Sequence, residues 1–200
     1  MFSGIPAATR ALILVNVAVF LLQQGANATL IPLFALWPLG TPYFHPWQLL
    51  SYAFLHGSVA HIFLNMFALF MFGRALETYW GARRFTLFYF ICVLSAGLTQ
   101  LLVQGMAGNA EPVLGASGGV FGVLLAFAWY FPRQRLLVLP IPIPVPAWLF
   151  VTGYALIELF SGLTGAESGV AHFAHLGGML GGVLCILYWQ ARRRFSSLRR

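Results

Sequence analysis

Two runs of residues could bring a serine and a histidine together. One is Gly115-Ala116-Ser117-Gly118-Gly119-Val120-Phe121-Gly122, and the other is His175-Leu176-Gly177-Gly178-Met179-Leu180-Gly181-Gly182. A serine hydroxyl becomes a nucleophile when an imidazole nitrogen about 2.6 to 3.2 Å away takes its proton. At helical spacing Ser117 and Phe121 share a face, Gly118 and Gly122 form a small-residue stripe, and Gly178 and Gly182 fall below His175. Two such glycine faces can approach closely, which large side chains between them would prevent. Plain glycine-mediated helix packing accounts for either stripe alone, without any chemistry. A third run carries His61 and Asn65 at i and i+4, stacked on one helical face from which they could donate two hydrogen bonds.

The elements that must position these residues are set by composition. Of 200 residues, 60% are hydrophobic and 8% charged, and the mean hydropathy is +0.84, which places the chain in a bilayer. Crossing roughly 30 Å of hydrocarbon takes about 20 helical residues, so the chain has room for one compact membrane domain and little else. The expectation is an all-α polytopic protein with six transmembrane helices, at about 11–25, 59–78, 85–103, 117–131, 147–160 and 170–189. The first run also resembles a signal peptide, with Ala26-Asn27-Ala28 as a cleavage site, but Asn16 interrupts its apolar core and an even span count suits the arginines. From Thr29 to Ser58 five prolines and glycines (Pro32, Pro38, Gly40, Pro42, Pro46) break any continuous helix, and Trp37, Tyr43 and Trp47 favour the interface. This stretch reads as a half-submerged first outer loop. Pro140, Pro142, Pro144 and Pro146 alternate with Ile and Val and predict an extended spacer before the fifth span.

All eleven basic residues are arginines, for a formal charge of +7. With six spans and the N-terminus inside, Arg10, Arg74, Arg83, Arg84, Arg133, Arg135 and the tail arginines within 190–200 all fall on the cytoplasmic side. The charge is thereby explained by topology, with no nucleic acid required. Cys92 and Cys185 lie inside apolar runs and read as small hydrophobes. On this map His45 sits in the first loop, His56 and His61 at the outer end of span two, and His172 and His175 at the outer end of span six. Each polar group in hydrocarbon faces a partner or a cavity, and helix packing alone can satisfy a single histidine. Ser117 lies 16 residues before Arg133, roughly 24 Å of helix at 1.5 Å per residue, which sets it slightly below the outer surface.

These motifs resemble those of rhomboid proteases. The likeness rests on Gly-x-Ser-Gly at Gly115 to Gly118, His-x-x-Gly-x-x-x-Gly at His175 to Gly182, and His-x-x-x-Asn at His61 to Asn65. It extends to His56, to Pro46-Trp47-Gln48, and to Glu77 and Gly81. The resemblance implies an intramembrane serine endopeptidase that hydrolyses peptide bonds in or near transmembrane segments of membrane-protein substrates. It implies Ser117 as nucleophile, His175 as base and then acid, and Phe121 packed on the imidazole. His61, Asn65 and the Ser117 backbone N–H would form the oxyanion hole, with Gly115, His172, Gly178 and Gly182 in support. His172 would orient the site or contact water. Trp47-Gln48 stands where many relatives have Trp-Arg, which bears on how the first loop is anchored.

A Ser-His-Asp triad cannot exist in a chain without aspartate, so a Ser-His dyad is the expectation. No His-Glu-x-x-His and no paired aspartates are present, which excludes zinc and aspartyl intramembrane proteases. No cofactor and no metal are expected. Glu158, near the outer end of span five, has no role in this scheme; it either lines a polar access route or reaches the interface, and the second is the expectation. Two other readings stay open: a haem or metal protein ligated by His61 and His175, and a rhomboid-like protein that binds transmembrane helices without cutting them. The expected setting is a prokaryotic plasma membrane, with both termini cytoplasmic and the site toward the outer face. Substrates and oligomeric state are not legible.

Overall fold

The computed structural model describes residues 4–108, 110–138, 143–165 and 170–197, without the side chains of Val138 and of residues 193–197. The elements are α1 (Ala7–Phe34), α2 (Gln48–Ser51) with a 3-10 turn (Tyr52–Phe54), and α3 (Val59–Ala68). A π-turn (Leu69–Gly73) joins α3 to α4 (Arg74–Trp80). There follow α5 (Ala82–Ala107), α6 (Ser117–Tyr130), the hairpin β1 (Arg135–Val138) and β2 (Ile143–Pro146), α7 (Ala147–Thr164) and α8 (His172–Ser197). Five of these stretches are long and apolar enough to cross a membrane: Ala7–Phe34, Val59–Trp80, Ala82–Ala107, Ala147–Thr164 and His172–Arg192. Large apolar side chains stand exposed along α1, α3, α5, α7 and α8, as an integral membrane protein facing lipid requires.

The sixth expected span is α6, whose 14 residues give only about 21 Å of helix. Ten of its 14 residues are buried. A helix that is apolar all round belongs inside a bundle, and α6 is packed by α5, α7, α8 and the π-turn. Small residues make this possible. Gly118 backs onto Ala96, Gly119 onto Tyr89 and Val93, and Gly122 onto Cys92. On α8, Gly177 and Gly181 meet Thr99 and Ser95 of α5, and the Ser95 hydroxyl donates to the Gly177 carbonyl at 2.7 Å.

One sequence expectation needs correction, and a second holds with a pairing that the sequence did not specify. The first helix does not stop near residue 25: it kinks at Ala26 (φ −130°, ψ 21°) and continues to Phe34 with Pro32 inside it. The kink restarts the helix, and Pro32 forfeits one hydrogen bond only two residues before the end. The first loop therefore begins at Ala35, not Thr29. The proline-rich spacer is half of an antiparallel hairpin, pairing Arg135 with Pro146 and Val138 with Ile143. Pro144 and Pro146 are tolerated because a two-stranded ribbon has only edges. Pro140 and Pro142 lie outside the described residues.

Polar side chains tie α1 and the loop to the bundle. The Glu77 carboxylate accepts from the Ala8 and Thr9 N–H groups at 2.8 and 2.7 Å, filling the place of a side-chain cap that Pro6 cannot supply. Gln23 brackets the backbone of His56, accepting from its N–H at 2.9 Å and donating to its carbonyl at 3.3 Å. Gln48 is fully buried. It accepts from the N–H groups of Trp37 and His45 and donates to the carbonyls of Pro32, Leu33 and Tyr43. The loop is thus organised internally by the residue whose identity had left its anchoring open.

Candidate active site

Ser117 occupies the first position of α6, where the helix supplies no carbonyl for its N–H and the helix dipole favours negative charge. The approach to it is fixed by backbone pairing. Leu36 and Val113 exchange hydrogen bonds at 2.8 and 2.9 Å, and the Gly115 N–H donates to the Tyr52 carbonyl at 2.9 Å. His175 lies one turn into α8 and is 8% exposed. Ser117 Oγ and His175 Nε2 are hydrogen-bonded at 2.7 Å, inside the range for proton transfer. The Phe121 ring stacks on the imidazole at 4.2 Å with an interplanar angle of 5°.

The glycines permit this. A β-carbon on Gly178 would overlap the Gly118 carbonyl oxygen, and one on Gly122 would lie 2.9 Å from the Gly178 carbonyl. Gly182 continues the same seam beside Gly122 and Phe88. The helices α6 and α8 are therefore in backbone contact immediately below the Ser–His pair.

His61 reaches the same place from α3. Its Nδ1 accepts from the Gly57 N–H at 3.4 Å, which leaves Nε2 as the protonated nitrogen of a neutral ring. Gly115 has φ +130°, and a β-carbon there would lie 2.8 Å from His61 Nε2 and 3.7 Å from Ser117 Oγ. The His61 donor and the serine oxygen thus flank one small space that only glycine leaves open. Asn65 is buried, and one of its amide hydrogens goes to the His61 carbonyl at 3.1 Å, leaving the second amide hydrogen to face elsewhere. His56 packs edge-on against His61 with centroids 5.0 Å apart. Burial lowers its pKa to about 4, so it stands there as a neutral ring. His45 stacks on Trp47 in the first loop and takes no part.

Glu158 is the residue that sequence reasoning misplaced. It does not reach the interface: it is 4% exposed, on α7, and its Oε2 accepts from His175 Nδ1 at 2.9 Å and from His172 Nδ1 at 2.7 Å. The argument for a bare dyad counted aspartates, and here a glutamate carboxylate lies behind the imidazole. The signal that could have found it is the rule that a lone carboxylate in an apolar helix has a partner. His172 shares this carboxylate with His175 and also meets its ring edge-on, with centroids 6.4 Å apart.

Among the described residues, Glu158, His172 and His175 are the group whose ligand atoms cluster as a cation site would need, within 4.8 Å of one another. Their contacts are hydrogen-bond lengths, and the two imidazoles satisfy the carboxylate oxygen without an ion. The haem or metal reading required a free nitrogen on His175; both are engaged, one by Ser117 and one by Glu158.

Comparison with known proteins finds a family and several relatives. A family model described as the rhomboid domain covers residues 43–192. Rhomboid protein 1, mitochondrial, of Saccharomyces cerevisiae is 34% identical over 140 residues, covering 68% of this chain and 40% of that protein. The rhomboid protease GluP of Bacillus subtilis is 31% identical over 136 residues, covering 68% of this chain and 24% of that protein. Presenilin-associated rhomboid-like protein, mitochondrial, of Bos taurus is 32% identical over 187 residues, covering 88% of this chain and 47% of that protein. The chain spans less than half the length of each of these relatives.

Proposed function

The chain belongs to the rhomboid family, and from that premise we propose that it is an intramembrane serine endopeptidase with Ser117 as nucleophile and His175 as general base. The observation that carries the proposal is the 2.7 Å hydrogen bond from Ser117 Oγ to His175 Nε2. In this reading a transmembrane substrate unwinds near its outer end and presents an extended strand to Ser117. His175 takes the hydroxyl proton as Oγ attacks the scissile carbonyl, then delivers it to the leaving amine. Water entering from the outer side repeats the sequence on the acyl-enzyme.

The negative charge that develops on the carbonyl oxygen would be met by His61 Nε2–H, by the Ser117 N–H at the helix start, and by the remaining Asn65 amide hydrogen. Each such donor is worth about 10²–10³ in rate in comparable sites. The backbone donor is supported by Ser117 opening α6, and the imidazole donor by the Gly57 contact on Nδ1.

The same reading treats residues 1–200 as a single membrane domain with α6 as a sixth, internal span. Both termini are cytoplasmic, the basic tail from 190 onward lies inside, and the site opens toward the outer face. The arginine distribution supports that orientation. The partners are transmembrane-helix substrates and the surrounding bilayer, and the proposed membrane is a prokaryotic plasma membrane, although two of the relatives above carry mitochondrial names.

The test is reaction of the purified chain with a fluorophosphonate probe, alongside cleavage of a model transmembrane substrate in liposomes. Wild type should label and cut, and Ser117→Ala and His175→Ala should do neither. Cleavage that persists in Ser117→Ala would overturn the assignment. An unlabelled, inactive wild type would favour a relative that binds helices without cutting them.

A further inference from the structure

We propose that Glu158 is a positioning residue that holds His175 in the one tautomer able to act as base, an inference that rests on the serine-protease reading above. An ionised carboxylate oxygen only accepts hydrogen bonds. With Oε2 2.9 Å from His175 Nδ1, that nitrogen must carry the ring proton, which leaves the Nε2 lone pair facing the Ser117 hydroxyl at 2.7 Å. The opposite tautomer would set a lone pair against the carboxylate and lose that bond, and its Nε2–H would donate to Oγ, leaving no lone pair to take the hydroxyl proton.

Placement reinforces the chemistry. Glu158 comes from α7, while His175 comes from α8 and Ser117 from α6, so three helices converge on one imidazole. Phe121 fixes the ring plane from its face, and Glu158 fixes rotation within that plane from its edge. The carboxylate is itself held by His172 Nδ1 at 2.7 Å. A buried carboxylate without such donors would be costly, so Glu158 has a strong reason to keep both imidazoles in place. His172, one turn before His175, thereby gains a role: it aims the carboxylate.

The experiment compares wild type, Glu158→Gln and Glu158→Asp, purified as the full chain, with fluorescein-labelled casein as a soluble unfolded substrate and a fluorophosphonate as active-site probe. In Glu158→Gln the amide can turn an N–H toward His175 and favour the wrong tautomer. The expected result is a kcat lowered roughly 10²-fold with KM within twofold, and probe labelling slowed in parallel. Glu158→Asp, which keeps the carboxylate, should recover a substantial part of that loss. The ¹⁵N spectrum of ring-labelled histidine, assigned with His175→Ala, should report the Nδ1–H form of His175 in wild type and a shift toward the Nε2–H form in Glu158→Gln. A kcat within twofold of wild type in Glu158→Gln overturns the proposal. So does a wild-type His175 protonated on Nε2, a measurement that stands even if the variants fail to fold. Activity surviving in Ser117→Ala or His175→Ala would instead overturn the underlying protease reading, whatever Glu158 does.

Discussion

Gly178 on α8 lies against the backbone of Gly118 on α6 with no room for a β-carbon between them. This contact sits one turn below His175 and one residue after Ser117, so it sets the separation of the reacting groups. Gly178→Ala must push the helices apart or tilt them. A displacement of even 1 Å lengthens the Ser117–His175 hydrogen bond beyond use, and cleavage should fall by at least about 10²-fold. Overpacking should also cost roughly 1–3 kcal/mol of stability, read as a lower midpoint of thermal unfolding in detergent. Gly153 on α7 has open space at its β-position, so Gly153→Ala is the control and should leave both readouts near wild type or raise the midpoint slightly. Equal activity in the two variants would contradict the account.

Gly115 offers a more selective perturbation. It holds φ +130°, and an added methyl would fall 2.7 Å from His61 Cε1 and 2.8 Å from Nε2. Gly115→Ala should turn the His61 ring away, and because alanine is strained at φ +130° it should also lower the midpoint of thermal unfolding. The expected outcome is a kcat loss of about 10²–10³, the size of one lost oxyanion donor. His61→Ala should show a similar loss, and the double variant should lose little more than either alone, because both remove the same donor. Additive losses would mean that Gly115 acts through something other than His61.

How much of this was legible beforehand follows from the kind of signal each residue sends. Ser117, His175, His61 and Asn65 stand out in the sequence because helical spacing, glycine stripes and depth are local properties, and the structure sets Ser117 against His175 and brings His61 beside it at Gly115. The helix extents were legible where hydropathy changes abruptly, as at Gly81 and Pro146, and not at Ala26, where a kink lets a helix pass through a sequence that looks like a turn. Glu158 was missed for a different reason. Its partners lie 14 and 17 residues along the chain on another helix, and nothing local distinguishes a carboxylate that meets two imidazoles from one that reaches the interface. The hairpin before α7 escaped because alternating prolines specify extension but not pairing.

Glu77 tests the tie between the first helix and the rest. Its carboxylate receives two N–H groups at the start of α1, 2.8 and 2.7 Å away, from a position on α4 that is far from Ser117 in the bundle. Glu77→Gln keeps the shape but offers only one acceptor oxygen and removes the charge that complements the helix dipole. Leaving one buried N–H unmet should cost about 1–3 kcal/mol. The variant should unfold at lower temperature in detergent, while fluorophosphonate labelling at a temperature where it remains folded proceeds at the wild-type rate. Slowed labelling under those conditions would show that α1 docking reaches the site.

Gln48 separates loop order from catalysis in the same way, and its chemistry allows a sharper comparison. The side chain accepts two backbone N–H groups, from Trp37 and His45, and donates to three carbonyls, of which Tyr43 is nearest at 2.8 Å. It therefore needs both an acceptor and a donor. Gln48→Ala removes both and leaves buried loop groups unpaired, at about 1–3 kcal/mol for each unsatisfied group. Gln48→Arg keeps and multiplies the donors but has no acceptor, and it places a charge where the native side chain is fully buried. If the acceptor function matters, Gln48→Arg should destabilise the loop as much as Gln48→Ala does. Limited proteolysis would detect this as faster cleavage between Ala35 and Gln48 in both variants than in wild type. If donation to the carbonyls alone held the loop, Gln48→Arg would protect it as well as the native glutamine, and the reciprocal role assigned to this amide would be wrong.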